Sequence, residues 1–119
     1  MLRLTKTTTV ARSIKLRLPT ENPNTFNEGT ITAHVKVLTK DELRVQADTD
    51  QSDAEFLRRI LVSVEGLGDE NGEPLKGDAA LAEVYSGAWC SYLQNGIVQD
   101  YWEHYGDARA KNSRASRGR

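Results

Sequence analysis

The sequence predicts an α+β fold, in which an N-terminal antiparallel β-hairpin is followed by three to four α-helices and a flexible basic C-terminal tail. Two observations lead to this prediction. Apolar and polar residues alternate in two segments before residue 38, whereas apolar residues recur at helical spacing from residue 52 onward. The 119 residues match the usual length of one domain. We therefore expect a single α+β domain over residues 1–105 and a disordered basic tail over residues 106–119.

The hairpin is predicted from the period of two in its apolar residues. Residues 1–11 are rich in threonine and are expected to form an extended arm. The strands that follow each place their apolar residues on one face, which is typical of half-buried antiparallel strands. These residues are Ile14, Leu16 and Leu18 in the first strand, and Ile31, Ala33, Val35 and Val37 in the second. Residues 19–29 contain two prolines, three asparagines and one glycine, which predicts a long exposed loop.

Two helices are predicted after the hairpin. Thr39 precedes an acidic first turn and is expected to cap a short helix over residues 39–47. Ser52 stands three residues before Glu55, which is the spacing of a capping box. The apolar residues that follow form one helical stripe and predict a helix ending at Gly66 or Gly68. They are Phe56, Leu57, Ile60, Leu61 and Val64.

The second half of the chain predicts an acidic turn and two further helices. Asn71 and Gly72 form the tight bend of a turn that runs to residue 75. Asp78 is expected to be the N-cap of the next helix. The last helix is predicted from about residue 88 to residue 105, where aromatic and aliphatic residues recur every four positions. Gly96 interrupts this helix and costs about 1 kcal/mol relative to alanine.

Composition excludes several classes of protein. Charged residues make up 28% of the chain but nearly cancel to a net charge of −1, so no basic field covers the whole protein. The single Cys90 cannot form an internal disulfide framework and fits a reducing cytosol. No apolar run approaches the roughly 18 residues of a membrane span, and the N-terminus lacks the apolar stretch of a signal peptide. Aromatic residues make up only 7%, and a core with so few of them often relies on partners or oligomerisation.

Catalytic, metal and cofactor sites are not expected. Residues 48–53 resemble the start of a calcium-binding loop, but Asp53 and Arg59 stand where that loop requires glycine and glutamate. We interpret them as an acidic helix start, which complements the positive end of the helix. His34 and His104 are far apart and have no ligand spacing with Cys90. The sequence therefore predicts a protein that is not an enzyme and binds no cofactor.

Two groups of residues are candidates for protein contacts. Carboxylates on a glycine-rich turn lack the desolvated pocket that acid–base catalysis needs, so they are interpreted as a solvated turn or a charged patch that faces a partner. Aromatic residues of the last helix are interpreted mainly as core, with part of them forming a protein-binding surface. The candidates are Asp69, Glu70, Glu73, Trp89, Tyr92 and Trp102.

The tail offers an alternative function. It carries five basic residues, which can contact phosphates without sequence specificity. No helix-turn-helix pattern or ribonucleoprotein motif accompanies it. A nucleic-acid partner is therefore not expected, although a small nucleic-acid-associated regulator stays open as an alternative.

The order of these elements resembles the small tail assembly chaperones of long-tailed bacteriophages of the lambda and HK97 type. In that family an apolar helix commonly runs into a short segment like Val64-Glu65-Gly66 and then into an acidic turn like residues 69–75, "DENGEPL". The resemblance covers residues 30–105. Leu67 departs from the family pattern, in which tryptophan or aspartate is often found nearby.

The resemblance implies a non-enzymatic protein that binds the tape measure protein in the host cell cytoplasm and keeps it soluble until the tail tube polymerises around it. It also implies self-association into a spiral or ring, a frameshifted longer form, contact with the major tail tube protein, and absence from the mature virion. A ring-forming head–tail connector or tail terminator protein is the main alternative within phage morphogenesis.

Overall fold

The computed structural model describes residues 1, 2, 4, 8–48 and 52–106, and it confirms the α+β fold. The described part contains three strands and four helices. In chain order they are β1 (Thr9–Pro19), β2 (Phe26–Lys36), α1 (Lys40–Asp48), α2 (Asp53–Ile60), β3 (Leu61–Glu65), α3 (Asp78–Ser86) and α4 (Cys90–Tyr105). Apart from Gly106, the predicted disordered tail lies outside the described residues, as do residues 49–51 of the acidic segment before α2.

The strands form one antiparallel sheet in the order β1-β2-β3. The hairpin pairs along its whole length, from Thr9 opposite Lys36 to Pro19 opposite Phe26. The predicted alternation is confirmed, since Ile14, Ile31 and other apolar residues of the two strands face the core. Two boundaries were wrong. The predicted arm loses its last residues to β1, and the loop shrinks to residues 20–25 because β2 already begins at Phe26.

The helix that was predicted to reach Gly66 or Gly68 ends at Ile60, and the chain continues as β3. A bulge in the pairing of β2 with β3 places Leu61 opposite Val35 and Val64 opposite Ala33. Residues three apart therefore share the inner face of the sheet, because a bulge adds one residue to a strand. Three-residue spacing also fits a helix, so the apolar pattern could not separate the two structures.

The predicted helix caps are mostly confirmed. Ser52 Oγ accepts a hydrogen bond from the Glu55 backbone N–H at 3.2 Å, and the reciprocal bond completes the capping box. At α1, the backbone N–H and the hydroxyl of Thr39 both donate to Glu42 Oε1 at 3.0 Å. These bonds lower the pKa of Glu42. Asp78 is the first helical residue of α3 rather than its N-cap, which is Gly77.

The core lies between the inner face of the sheet and the four helices, since α1 adds Leu43 and Ala47 to it. At its centre the Phe56 ring stacks on Trp102, with 5.3 Å between ring centroids, and meets the edge of Tyr101 at 5.4 Å. The helix α4 runs unbroken through Gly96, where an added Cβ would collide with Leu16 of β1. Glycine at this position therefore lets α4 approach the hairpin closely.

A polar clamp one turn further along the same face of α4 also ties this helix to the hairpin. Arg12 of β1 donates two hydrogen bonds to the Asp100 carboxylate, at 2.8 and 3.0 Å. His104 lies against the same carboxylate at 3.3 Å. The hydrogen bond to Asp100 is the main reason why the pKa of Arg12 is raised. The clamp fixes one long helix across the sheet and leaves the hairpin end beyond it partly uncovered.

Candidate protein-binding surface

Residues 66–75, which we call the elbow, connect β3 to the segment before α3. The Leu75 backbone N–H donates to the Leu67 carbonyl at 2.8 Å, and the Asp69 backbone N–H donates to the Glu73 carbonyl at 2.9 Å. Gly72 closes the bend with a φ of 82°, a backbone conformation that favours glycine. The predicted turn with Asn71 and Gly72 at its bend is therefore present, and it takes the form of a small hairpin.

The three carboxylates of the elbow differ in their roles. Asp69 Oδ1 accepts hydrogen bonds from the backbone N–H groups of Asn71 and Glu73, at 2.8 and 3.0 Å. This side chain therefore holds the turn together. Glu70 and Glu73 are exposed, so their charges face solvent. Asp69 is exposed as well, so all three carboxylates can meet a partner, and Asp69 also shapes the backbone that carries them.

Two shallow depressions lie between the elbow, the end of the hairpin and the start of α4. The larger one has a volume of about 420 Å³ and is lined by Leu75, Glu83 and Trp89 among others, with Asp69 and Glu70 at its rim. The smaller one, of about 300 Å³, runs along β2. They form one groove, because both are lined by Leu18, Asn27, Leu67, Gly68 and Leu93.

Two exposed aromatic residues extend this groove. Trp89 and Tyr92 are 44% and 46% exposed, and their rings meet edge to face with 5.6 Å between centroids. Trp89 lines the larger depression together with Asp69 and Glu70. We call these four residues the acidic–aromatic face. Exposed tryptophan and tyrosine side chains have the large amphipathic area that protein interfaces favour.

The structure thus brings together four of the six candidate contact residues. Glu73 lies in the elbow but does not line the groove. Trp102 is only 5% exposed and stacks on Phe56 in the core, so it is not available to a partner. Sequence reasoning had no means of separating Trp102 from Trp89, since both occur in the same aromatic-rich segment.

The apolar lining of the groove was not predicted as a binding surface. Leu16 and Leu18 were assigned to the inner face of the hairpin, which is correct, but α4 covers this face only in part. Leu67 and Leu75 flank the acidic turn in sequence, and their backbones pair across it. A hydrophobic residue on each side of a charged turn was the one available signal for this surface.

The two histidines make structural contacts. His34 Nε2 lies 3.3 Å from the Glu65 carboxylate on the neighbouring strand. His104 belongs to the clamp with Arg12 and Asp100. Among the described residues, no group of three or more histidine, cysteine or acidic side chains is arranged to hold a metal ion. Cys90 is half-buried at the start of α4.

Comparisons with family models, curated proteins and solved structures give no match to this chain. None of the helices in the described ranges is both long and apolar enough to cross a membrane. The resemblance to tail assembly chaperones therefore stays a prediction, and the groove with its acidic–aromatic face is the feature on which a function can be argued.

Proposed function

We propose that this protein is a non-enzymatic tail assembly chaperone of a long-tailed bacteriophage, which binds the tape measure protein in the host cytoplasm and keeps it soluble during tail assembly. The observation that carries the proposal is the open apolar groove with the acidic–aromatic face beside it. The order of strands, elbow and aromatic helix, on which the resemblance was based, adds support.

The shape of the groove suits a long client better than a small substrate. Its depressions are open and shallow, and half-buried leucine side chains and the exposed Trp89 share the lining with carboxylates. A small-molecule site is usually concave and buries most of its ligand. A helical protein segment with an apolar stripe and basic neighbours would instead match both the leucines and the charges of Asp69 and Glu70.

Many weak contacts of this kind are sufficient for a chaperone. Each copy needs only modest affinity, because copies bound along one extended client act together. Modest affinity also allows release when the tail tube forms. Trp89 and Tyr92 are the expected anchors, since buried aromatic residues dominate the energy of most interfaces.

Co-expression with the tape measure protein of the same genome tests this proposal. We expect the wild-type chain to keep the client soluble and to be recovered with it in several copies. Trp89→Ala combined with Tyr92→Ala should weaken binding by about tenfold or more, because anchor residues contribute more than about 1.4 kcal/mol together. Pull-down and light scattering of the soluble complex give both the affinity and the stoichiometry.

Phe26→Ala is the matched control, because Phe26 is 46% exposed and lies under the Arg17 guanidinium, outside the groove lining. It should bind the client as the wild type does. If the wild-type chain leaves the client insoluble, the proposal is wrong. If both variants weaken binding equally, the acidic–aromatic face is not the client site.

A further inference from the structure

The N-terminal arm of this chain presents apolar side chains to solvent. Leu2 and Leu4 are 85% and 88% exposed, and Met1 is fully exposed. The sequence "MLRLTKTT" alternates these residues with Arg3 and is rich in threonine, a pattern that favours an extended strand. Exposed leucines at every second position indicate a segment that gains by pairing with a sheet edge elsewhere.

Such an edge is available on β2. The last pair between β2 and β3 joins Thr32 to Glu65, so among the described strands only β1 pairs with residues 26–31 of β2. The Thr30 carbonyl faces the side of β3, since a Cβ built on Gly66 would lie 2.9 Å from that oxygen. Because backbone groups alternate along a strand, the N–H and C=O of Glu28 point to the same side, beyond the part of the edge that Gly66 covers.

The smaller depression lies beneath this open edge. It is lined by Leu16, Leu18 and Ile31 from the sheet, by Leu67 from the elbow, and by Leu93 from α4. A strand added beside β2 would turn every second side chain toward these residues. Leu2 and Leu4 have that spacing. Lys6 follows at the same spacing, and its positive charge complements the carboxylates of Asp69 and Glu70 at the adjoining larger depression.

We propose that the N-terminal arm of a second copy of this chain adds as a strand to the open edge of β2 and places Leu2 and Leu4 in the smaller depression. The contact is a β-strand addition, in which main-chain hydrogen bonds supply affinity and side-chain pockets supply specificity. It concerns self-association and does not rest on the proposed client: the arm takes the smaller depression, and the larger one with Trp89 is left to the client.

Geometry favours a second copy over the chain's own arm. The arm joins β1 at Thr9, which pairs with Lys36, eight residues along β2 from Glu28. Eight residues of strand span about 27 Å. The chain before Thr9 leaves from the far end of β2, where the Val37 backbone N–H donates to the Thr8 carbonyl at 2.8 Å. The chain's own arm would therefore have to reverse its direction and cross β2 to reach Glu28. Docking between copies joins two different surfaces, so it builds a ring or an open spiral.

Sedimentation velocity of the full chain and of two variants tests the proposal. Deletion of residues 2–7 removes the arm. Gly29→Leu fills the smaller depression, because position 29 faces it beside Leu16 and nothing lies within 4 Å of an added Cβ. Both variants should need at least about tenfold higher concentration to associate than the wild type. Thr30→Leu is the control, since its side chain points to the opposite face, and it should associate normally.

Mixing the two variants gives the decisive result. The arm-deleted chain keeps its groove and the Gly29→Leu chain keeps its arm, so an equimolar mixture should form heterodimers at a concentration at which each variant alone is monomeric. A wild type that stays monomeric, or a mixture that does, overturns the proposal. If the arm-deleted chain fails to fold, as judged by circular dichroism, the double substitution Leu2→Glu and Leu4→Glu replaces it. No client is present, so the outcome is independent of the chaperone test.

Discussion

At the scale of single residues, Tyr101 is the side chain that most clearly links separate elements. It is buried, and its hydroxyl donates to the Lys36 carbonyl and accepts from the Leu38 backbone N–H, both at 2.9 Å. These bonds fix α4 against the point where β2 ends and the chain turns toward α1. Burial is the main cause that raises the pKa of Tyr101 above 10.0.

We expect Tyr101→Phe to lower the free energy of unfolding by about 1–3 kcal/mol, because two hydrogen bonds to part-buried backbone groups are lost. Urea denaturation measures this loss. Since the folded state holds the phenol proton more tightly, the stabilisation by Tyr101 is present below the unfolded pKa and is lost as pH rises through the folded pKa. As the pH rises into the alkaline range, the free energy of unfolding should therefore fall less for Tyr101→Phe than for the wild type. Tyr92→Phe, at an exposed ring, is the control, and an equal effect there would contradict the assigned role.

At the scale of elements, the sequence predicted the features that depend only on residues close together in the chain. The capping box at Ser52 and the alternation in the hairpin were identified because each is complete within a few residues. Strand β3 was missed because its identity depends on β2, which lies some thirty residues earlier and supplies its hydrogen bonds. The bulge made the spacing of Leu61 and Val64 look helical, so only tertiary pairing could decide between helix and strand.

The junction of β3 and the elbow gives a prediction at this scale. Gly66 has a φ of 94°, and an added Cβ would lie 2.9 Å from the Thr30 carbonyl oxygen and 3.2 Å from Ile31 Cα. Gly72 has a similar φ of 82° but open space around it. Gly66→Ala should therefore destabilise the fold more than Gly72→Ala, by about 1–3 kcal/mol, since only the first adds a backbone collision to the conformational strain.

Thermal or urea unfolding of both glycine variants measures this difference. Equal losses would mean that strain at positive φ accounts for the whole effect and that the close approach of the elbow to β2 is relieved at little cost. A larger loss at Gly66 would show that this approach, which borders the smaller depression, is held rigidly.

At the scale of the whole molecule, the sequence could not predict which residues meet at the candidate surface. The acidic turn and the aromatic segment were each chosen from composition, but their meeting beside an apolar groove depends on how α4 crosses the sheet. Trp89 and Trp102 stand thirteen residues apart on the same helix segment, and only packing assigns one to the surface and the other to the core. Leu16 shows the same limit, because Gly96 decides how far α4 covers it.

Charge is divided unevenly along the chain, and this yields a last prediction. Residues 107–119 contain five basic residues and Asp107, a net charge of +4. The whole chain carries −1, so residues 1–106 carry −5. A body of that charge repels nucleic acid, and any binding to DNA must come from the tail. We expect a chain truncated after Gly106 to keep its melting temperature and its ability to solubilise the tape measure protein.

Measurements of DNA binding at increasing salt complete the comparison between the full and the truncated chain. Five phosphate contacts would give a log–log salt slope of about −4 to −5 for the full chain and none for the truncated one. If truncation removes such binding and leaves client solubility intact, the tail is an accessory to the chaperone. If truncation abolishes the effect on the client as well, the groove is not sufficient for the proposed function.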